Sequence, residues 1–241
     1  KLSVSSIKLQ APVAKKIPFE MKNHQHSRTD NYYWMRDDNR SNKEVLAHLD
    51  AENNYADVML ADQKPLQKTL FDELKARIVK DDNSVPVKDG KYWYHSEISG
   101  EDEYSRYYRA TTFSGEDKTL LLDVNERAKD NEYYDLGEFS ISPNDKLMAI
   151  SEDTDSRRIY TIYFKDISKY SEDTNQNQSE EYLTDVLIET EGQIVWANDN
   201  ETLFYVKKDL ETLLGTQVFR HKLGTLQSED VLVYQEDDHS F

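Results

Sequence analysis

The chain has 241 residues, a formal net charge of −17 and no cysteine. That acidity excludes duplex nucleic acid as a partner, because its phosphates would be repelled. The missing thiols exclude disulfides, thiolate chemistry and cysteine-based zinc sites. No apolar run approaches the ~20 residues needed to span a bilayer, so no membrane partner is expected either.

Residues 1–40 are irregular, yet they carry the aromatic cluster Tyr32-Tyr33-Trp34-Met35, which a disordered tail would rarely contain. The cluster is expected to anchor this segment on a packed surface. Ser41 and Glu44 stand in capping-box spacing, with Ser41 placed to accept an orphan N–H and Glu44 to reach back. Val45, Leu46, Leu49, Tyr55, Val58 and Met59 then share one helical stripe. Pro65 suits a first helical turn, and Leu66, Leu70, Leu74 and Ile78 recur every four residues. Two amphipathic helices are predicted, roughly over 41–62 and 65–79, within an extension covering 1–84. Their stripes call for something to cover them.

After the polar break Asp81-Asp82-Asn83-Ser84, Pro86 discourages helix and short strands take over. A polar turn followed by an apolar strand recurs at a spacing of roughly 55 residues, a period typical of propeller blades. It reads Lys88-Asp89-Gly90-Lys91-Tyr92-Trp93-Tyr94, then Pro143-Asn144-Asp145-Lys146-Leu147-Met148, then Asn198-Asp199-Asn200-Glu201-Thr202-Leu203-Phe204-Tyr205. An aromatic-rich strand follows each: Arg106–Arg109, Ile159–Phe164 and Gln217–His221. Another short strand ends each unit: Thr119–Asp123, Glu181–Thr184 and Val231–Tyr234.

The fold class predicted is mainly β with an N-terminal helical extension. Residues 85–241 form a partial β-propeller of about three four-stranded blades. The blades are placed at about 85–128, 136–187 and 191–235, with the start of a fourth at 236–241. Ser171–Glu180 is polar and low in complexity, and reads as an exposed hairpin loop. Three blades cannot close a ring, so the expectation is part of a longer protein, or one completed by a partner.

Chemistry is sparse. None of the seven glycines frames a serine as G-x-S-x-G, and no H-E-x-x-H, P-loop or G-x-G-x-x-G occurs. No catalytic, cofactor or metal residue is therefore assigned. His24 and His26 lie two apart without a third ligand and read as surface histidines. His48, His95, His221 and His239 have no partner visible in sequence. The acid runs Asp37-Asp38, Asp81-Asp82, Glu101-Asp102-Glu103 and Glu236-Asp237-Asp238 read as solvated loop charge.

Two features are more specific. Asp153-Thr154-Asp155-Ser156-Arg157-Arg158 places paired arginines in a hairpin of an acidic chain, a candidate docking point for a carboxylate or else a plain solvent-exposed pair. Asn131-Glu132-Tyr133-Tyr134 is a connector that reads as a packing corner or a contact with a neighbouring domain.

The same residues carry a resemblance. Ala11–Pro18, Asp30–Asp38, Leu49–Asn53, Glu103–Arg109, Leu121–Asn125, Ser156–Arg158, Val195–Asp199 and Val218–His221 follow one another in the order found in the prolyl oligopeptidase family of serine peptidases. The chain resembles the N-terminal part of that family's oligopeptidase B, or protease II, branch. The resemblance implies a helical extension, a propeller of seven blades and an α/β-hydrolase catalytic domain that lies outside this sequence. For the whole protein it implies cleavage of short peptides after Arg or Lys, with the propeller limiting access. It also implies that the helical extension wraps the catalytic domain, and that Glu132, Arg157 and Arg158 make polar contacts across the hinge. Alone, the chain is expected to be inactive. The alternatives are a non-catalytic propeller module that binds a protein partner, and a family member of other specificity, such as a post-proline peptidase. A cytoplasmic location is expected from the cysteine-free composition. The periplasm is the alternative, because the polar Lys1–Gln10 is compatible with a removed signal.

Overall fold

The computed structural model describes residues 10–169 and 182–238. The expected hairpin loop at Ser171–Glu180 and the lone His239 lie outside the described residues, as do the last three residues, 239–241, of the stretch read as the start of a fourth blade. The chain divides into two compact units, Lys1–Ile78 and Val79–Phe241.

The first unit holds a hairpin that the sequence reading left irregular: β1 (Phe19–Asn23) and β2 (His26–Asp30), antiparallel with Asn23 opposite His26. Its two-residue turn places His24 and Gln25 at φ 48 and 62. That is the left-handed pair a tight hairpin needs, made without a glycine. The aromatic cluster anchors as expected. Tyr33 stacks on Phe19 with ring centroids 4.1 Å apart, and the Trp34 indole N–H donates to the Lys15 carbonyl at 2.9 Å.

Two helices follow, α1 (Lys43–Met59) and α2 (Lys64–Lys75), with Pro65 in the first turn of α2. The cap differs from the expectation. Asn42, not Ser41, is the N-cap, its Oδ1 accepting from Glu44 N at 3.0 Å. The Glu44 carboxylate pairs with Lys15 instead of reaching back. Both Ser and Asn can cap, and Asp37 favours Asn42 by accepting its N–H at 2.7 Å. Asn42→Ala is expected to cost about 1 kcal/mol, read as lost hydrogen-exchange protection over the first turn of α1. Of the predicted stripes only Val45 is buried; Leu66, Leu70, Leu74 and Ile78 are all exposed.

The second unit is mainly β. β3 (Asp82–Asn83) and β4 (Val87–Asp89) both pair with β5 (Tyr92–Ile98), which continues through β6 (Arg106–Ala110) to β7 (Thr119–Asp123). A short helix the sequence reading did not foresee, α3 (Val124–Ala128), is capped by Asp123 accepting from Asn125 N. A seven-stranded antiparallel sheet then runs in chain order. Its strands are β8 (Asp135–Ile141), β9 (Leu147–Asp153), β10 (Tyr160–Asp166), β11 (Tyr182–Trp196), β12 (Thr202–Lys208), β13 (Gly215–Lys222) and β14 (Val231–Gln235). Neither sheet closes on itself. The strands expected separately near 181–184 and 193–196 are one continuous strand, β11. Its first part pairs with β10 and its last part with β12, with Thr190 opposite both Tyr160 and Lys207.

The bend in β11 is set by close packing. Gly192 has φ +96, and a Cβ there would lie 2.9 Å from the Tyr160 ring. A Cβ on Gly137, at a bulge in β8, would lie 2.6 Å from the same ring. The Tyr160 ring therefore lies against two glycines, and its hydroxyl donates to Asp135 at 2.6 Å.

β9 is buried along nearly its whole length because both faces are covered. Met148 and Ile150 join a cluster with Leu121, Leu122, Val124 and Ile167. Ala149 points into a second cluster with Ile162, Phe164, Leu187, Ile194, Leu203 and Tyr205. Two buried cations tie the five-stranded sheet to the larger one. Arg109 donates to the carbonyls of Asp145 and Ile167, each at 2.9 Å, and Lys165 donates to the Leu121 carbonyl at 3.0 Å.

Candidate interdomain contact site

The hairpin turn between β9 and β10 is organised by a single buried carboxylate. Asp153 accepts from the backbone N–H of Asp155 at 2.8 Å, of Arg157 at 3.0 Å and of Arg158 at 2.7 Å. Ser156 and Arg158 are held at φ 57 and 54, a conformation that those three bonds stabilise. From the other side, Lys208 Nζ donates to the Arg158 carbonyl at 2.6 Å. Arg157 is half-buried and Arg158 is exposed, on a backbone fixed at both ends.

The connector 129–134 is brought to the same edge of the sheet. Asp135 pairs with Asp153 in register, and the Tyr134 hydroxyl donates to Glu152 Oε1 at 2.5 Å. Glu132 is exposed on this connector. The two stretches singled out in the sequence are therefore neighbours, joined through Asp135 and Glu152, which were not singled out.

The joint is Arg127 on α3. Its Nε donates to Glu152 Oε1 at 2.7 Å and its Nη2 to Oε2 at 2.5 Å, a two-point pairing. The guanidinium also lies 5.6 Å from the Tyr163 ring and 5.0 Å from the Tyr182 ring. The hydrogen bond to Glu152 holds the Arg127 guanidinium firmly protonated, against the smaller opposing effect of burial. Burial, then the bond to Glu152, pushes the Tyr134 phenol well above its ordinary range, so it remains a donor. Beside this pair lies a cleft of about 540 Å³ whose lining mixes the cations Arg127 and Lys129 with the acids Glu126, Asp130 and Glu152.

The arrangement is a stiff, charged edge without a reacting group. Among the described residues no histidine is hydrogen-bonded to a serine or threonine hydroxyl, and no three side chains are grouped to hold a metal ion. The histidines do have partners that the sequence hid. His221 lies between Asp230 and Asp185, His95 contacts Glu97 at 3.1 Å, and His48 lies 3.6 Å from Glu52.

The sequence profile described as "Prolyl oligopeptidase, N-terminal beta-propeller domain" matches residues 12–241. The chain belongs to the prolyl oligopeptidase family. Within that family it is 42% identical to dipeptidyl aminopeptidase BI of Pseudoxanthomonas mexicana, over 95% of this chain and 32% of that protein. It is 28% identical to protease 2 of Moraxella lacunata, over 97% of this chain and 33% of that protein. The oligopeptidase B structure from Leishmania major superposes with a TM-score of 0.82 at 34% identity, over 95% of this chain and 33% of that one. The chain thus spans about a third of the length of these relatives. Over that third it matches the family's N-terminal propeller portion and resembles oligopeptidase B.

Proposed function

We propose that the chain is the helical extension and first blades of a serine oligopeptidase that cleaves short peptides after Arg or Lys, and that this portion limits access to the catalytic domain of the same polypeptide. The observation that carries the reading is the match over 12–241 to a propeller domain in relatives about three times as long. In this reading three blades run from β4 to β7, from β8 to the first part of β11, and from the last part of β11 to β14. The exposed apolar face of α2 supports an extension built to wrap another domain. The cysteine-free composition supports a cytoplasmic location.

A second reading, release of dipeptides from a free N-terminus, is favoured by the 42% identity to a protein named dipeptidyl aminopeptidase. One assay separates the two. The whole protein is given an N-blocked Arg-Arg fluorogenic substrate, the matching unblocked dipeptide, and a folded protein. Turnover of the blocked substrate supports cleavage after basic residues, and turnover of the unblocked one alone supports the second reading. Digestion of the folded protein at a comparable rate would refute restricted access. No serine-inhibitor-sensitive turnover on any substrate would leave a binding module as the correct description.

Glu132, Arg157 and Arg158 are proposed to contact the catalytic domain when the two domains close. The fixed backbone of the β9–β10 turn favours this role, because little backbone ordering is left to oppose binding. Changing both arginines to alanine in the whole protein is expected to remove on the order of 1–2 kcal/mol of closure, between an exposed and a buried pair. That is about 5- to 30-fold in kcat/KM. The melting temperature should hardly move. Full activity of the double variant at both low and high salt would show the arginines to be surface charge only.

A further inference from the structure

His221 and its two carboxylate partners form a buried polar cluster, and the peptidase reading makes no use of it. The ring is 0% exposed, on β13. Its Nδ1 lies 2.7 Å from Asp230 Oδ1 and its Nε2 lies 3.2 Å from Asp185 Oδ1. Both carboxylates are themselves buried, with side chains 1% and 6% exposed. Each has one more donor. Asp230 Oδ2 accepts from the Tyr205 hydroxyl at 2.8 Å, and Asp185 Oδ1 accepts from Gly224 N at 2.6 Å. The Phe164 ring stacks beside the imidazole, with centroids 5.9 Å apart. The cluster therefore ties β11, β12 and β13 to the residue just before β14.

Counting protons decides its state. An ionised carboxylate only accepts, and a neutral imidazole donates from one nitrogen alone. Two carboxylates on the two ring nitrogens need two N–H groups. With a neutral ring and both carboxylates ionised, one contact would set a lone pair against a buried carboxylate, which is costly away from water, and the second proton otherwise has only a carboxyl, a weaker base than imidazole, to rest on. Tyr205 cannot relieve this. Burial and its bond to Asp230, only partly offset by a hydrogen bond from Gln227, push its phenol upward, so it stays a donor to Asp230. Among the described residues, Asp185, Asp230 and, through Asp230, Tyr205 are the titratable groups in contact with the ring or its partners.

We propose that His221 is held as the doubly protonated imidazolium and that loss of its second proton releases Asp230, and with it β14, from the sheet. The last strand is then latched by a proton. The sign follows from linkage. The folded cluster keeps a proton that an unfolded histidine sheds above about pH 6.5. Its contribution is complete below that pH and declines as pH rises.

The test uses the whole protein, labelled with ¹⁵N-histidine, with the His221 resonances assigned by their contact with the Phe164 ring. At pH 7 both ring nitrogens should show the protonated signature. Hydrogen-exchange protection of 231–235, corrected for the base-catalysed intrinsic rate, should fall about tenfold or more between pH 6 and pH 9, one decade corresponding to ~1.4 kcal/mol. Asp230→Asn should remove that dependence while the strand stays folded. Its amide oxygen can accept from Tyr205 and its NH₂ can donate to a neutral ring. If Asp230→Asn does not fold, Asp185→Asn keeps an oxygen toward Gly224 N and the ring but removes one of the two charges that hold the second proton, so the pH at which protection falls should move down. One unprotonated ring nitrogen in the native protein at pH 7 overturns the proposal, as does a variant that keeps the wild-type pH dependence.

Discussion

Phe164→Ala is expected to destabilise the unit Val79–Phe241 by about 4 kcal/mol, within the range for removing a fully buried aromatic ring. Phe164 is 0% exposed and sits where three elements meet. Its ring is edge-on to Trp196 at 6.0 Å and stacked with His221 at 5.9 Å. Removing it deletes apolar contacts on both sides and opens one wall of the His221 cluster, so collapse around the cavity is opposed by a charged neighbour. Ile162→Val, in the same cluster, should cost only about 1 kcal/mol. Urea midpoints measure both. Equal small losses would mean that this cluster is not the core the packing indicates.

Arg127→Ala should cost about 3 kcal/mol, at the lower end for breaking a buried pair because the arginine keeps 25% of its side chain exposed. The loss is mostly the penalty on what remains. Glu152, 4% exposed, is left without its cation while still accepting from Tyr134. A triple change to Arg127→Met, Glu152→Leu and Tyr134→Phe removes every polar group of the network together. It should return to within about 1 kcal/mol of the parent. If the triple variant is as unstable as Arg127→Ala, the network contributes through geometry and not through charge burial.

The repeated strands of the second unit were legible because a polar turn is followed by a short apolar or aromatic run, as in Leu147–Ile150 and Thr202–Tyr205. The β1–β2 hairpin was not, because its turn is His24-Gln25 and neither residue is a usual marker of positive φ. The position of the α1 cap was blurred because Ser41 and Asn42 are chemically equivalent as caps and only Asp37, five residues before, distinguishes them. The turn carrying Arg157 and Arg158 was found, but its organiser Asp153 was read only as a neighbouring charge. Arg127 gave no signal, since its partner Glu152 lies 25 residues away. His221 looked solitary for the same reason. Asp185 stands 36 residues before it, and no local pattern encodes a pairing made across strands.

In the seven-stranded sheet every inner strand pairs with the one just before it and the one just after it in the chain. Such an order needs no distant partner to begin. Synthesis delivers β8, then β9, then β10, and each new strand meets an edge already in place, at the pace of a ribosome adding roughly 5–20 residues per second. Contacts close in sequence keep the entropy of each closure small. The sheet can therefore grow as translation proceeds, with β11 carrying the growing edge across Thr190, and the long wait with exposed edges that favours aggregation is avoided.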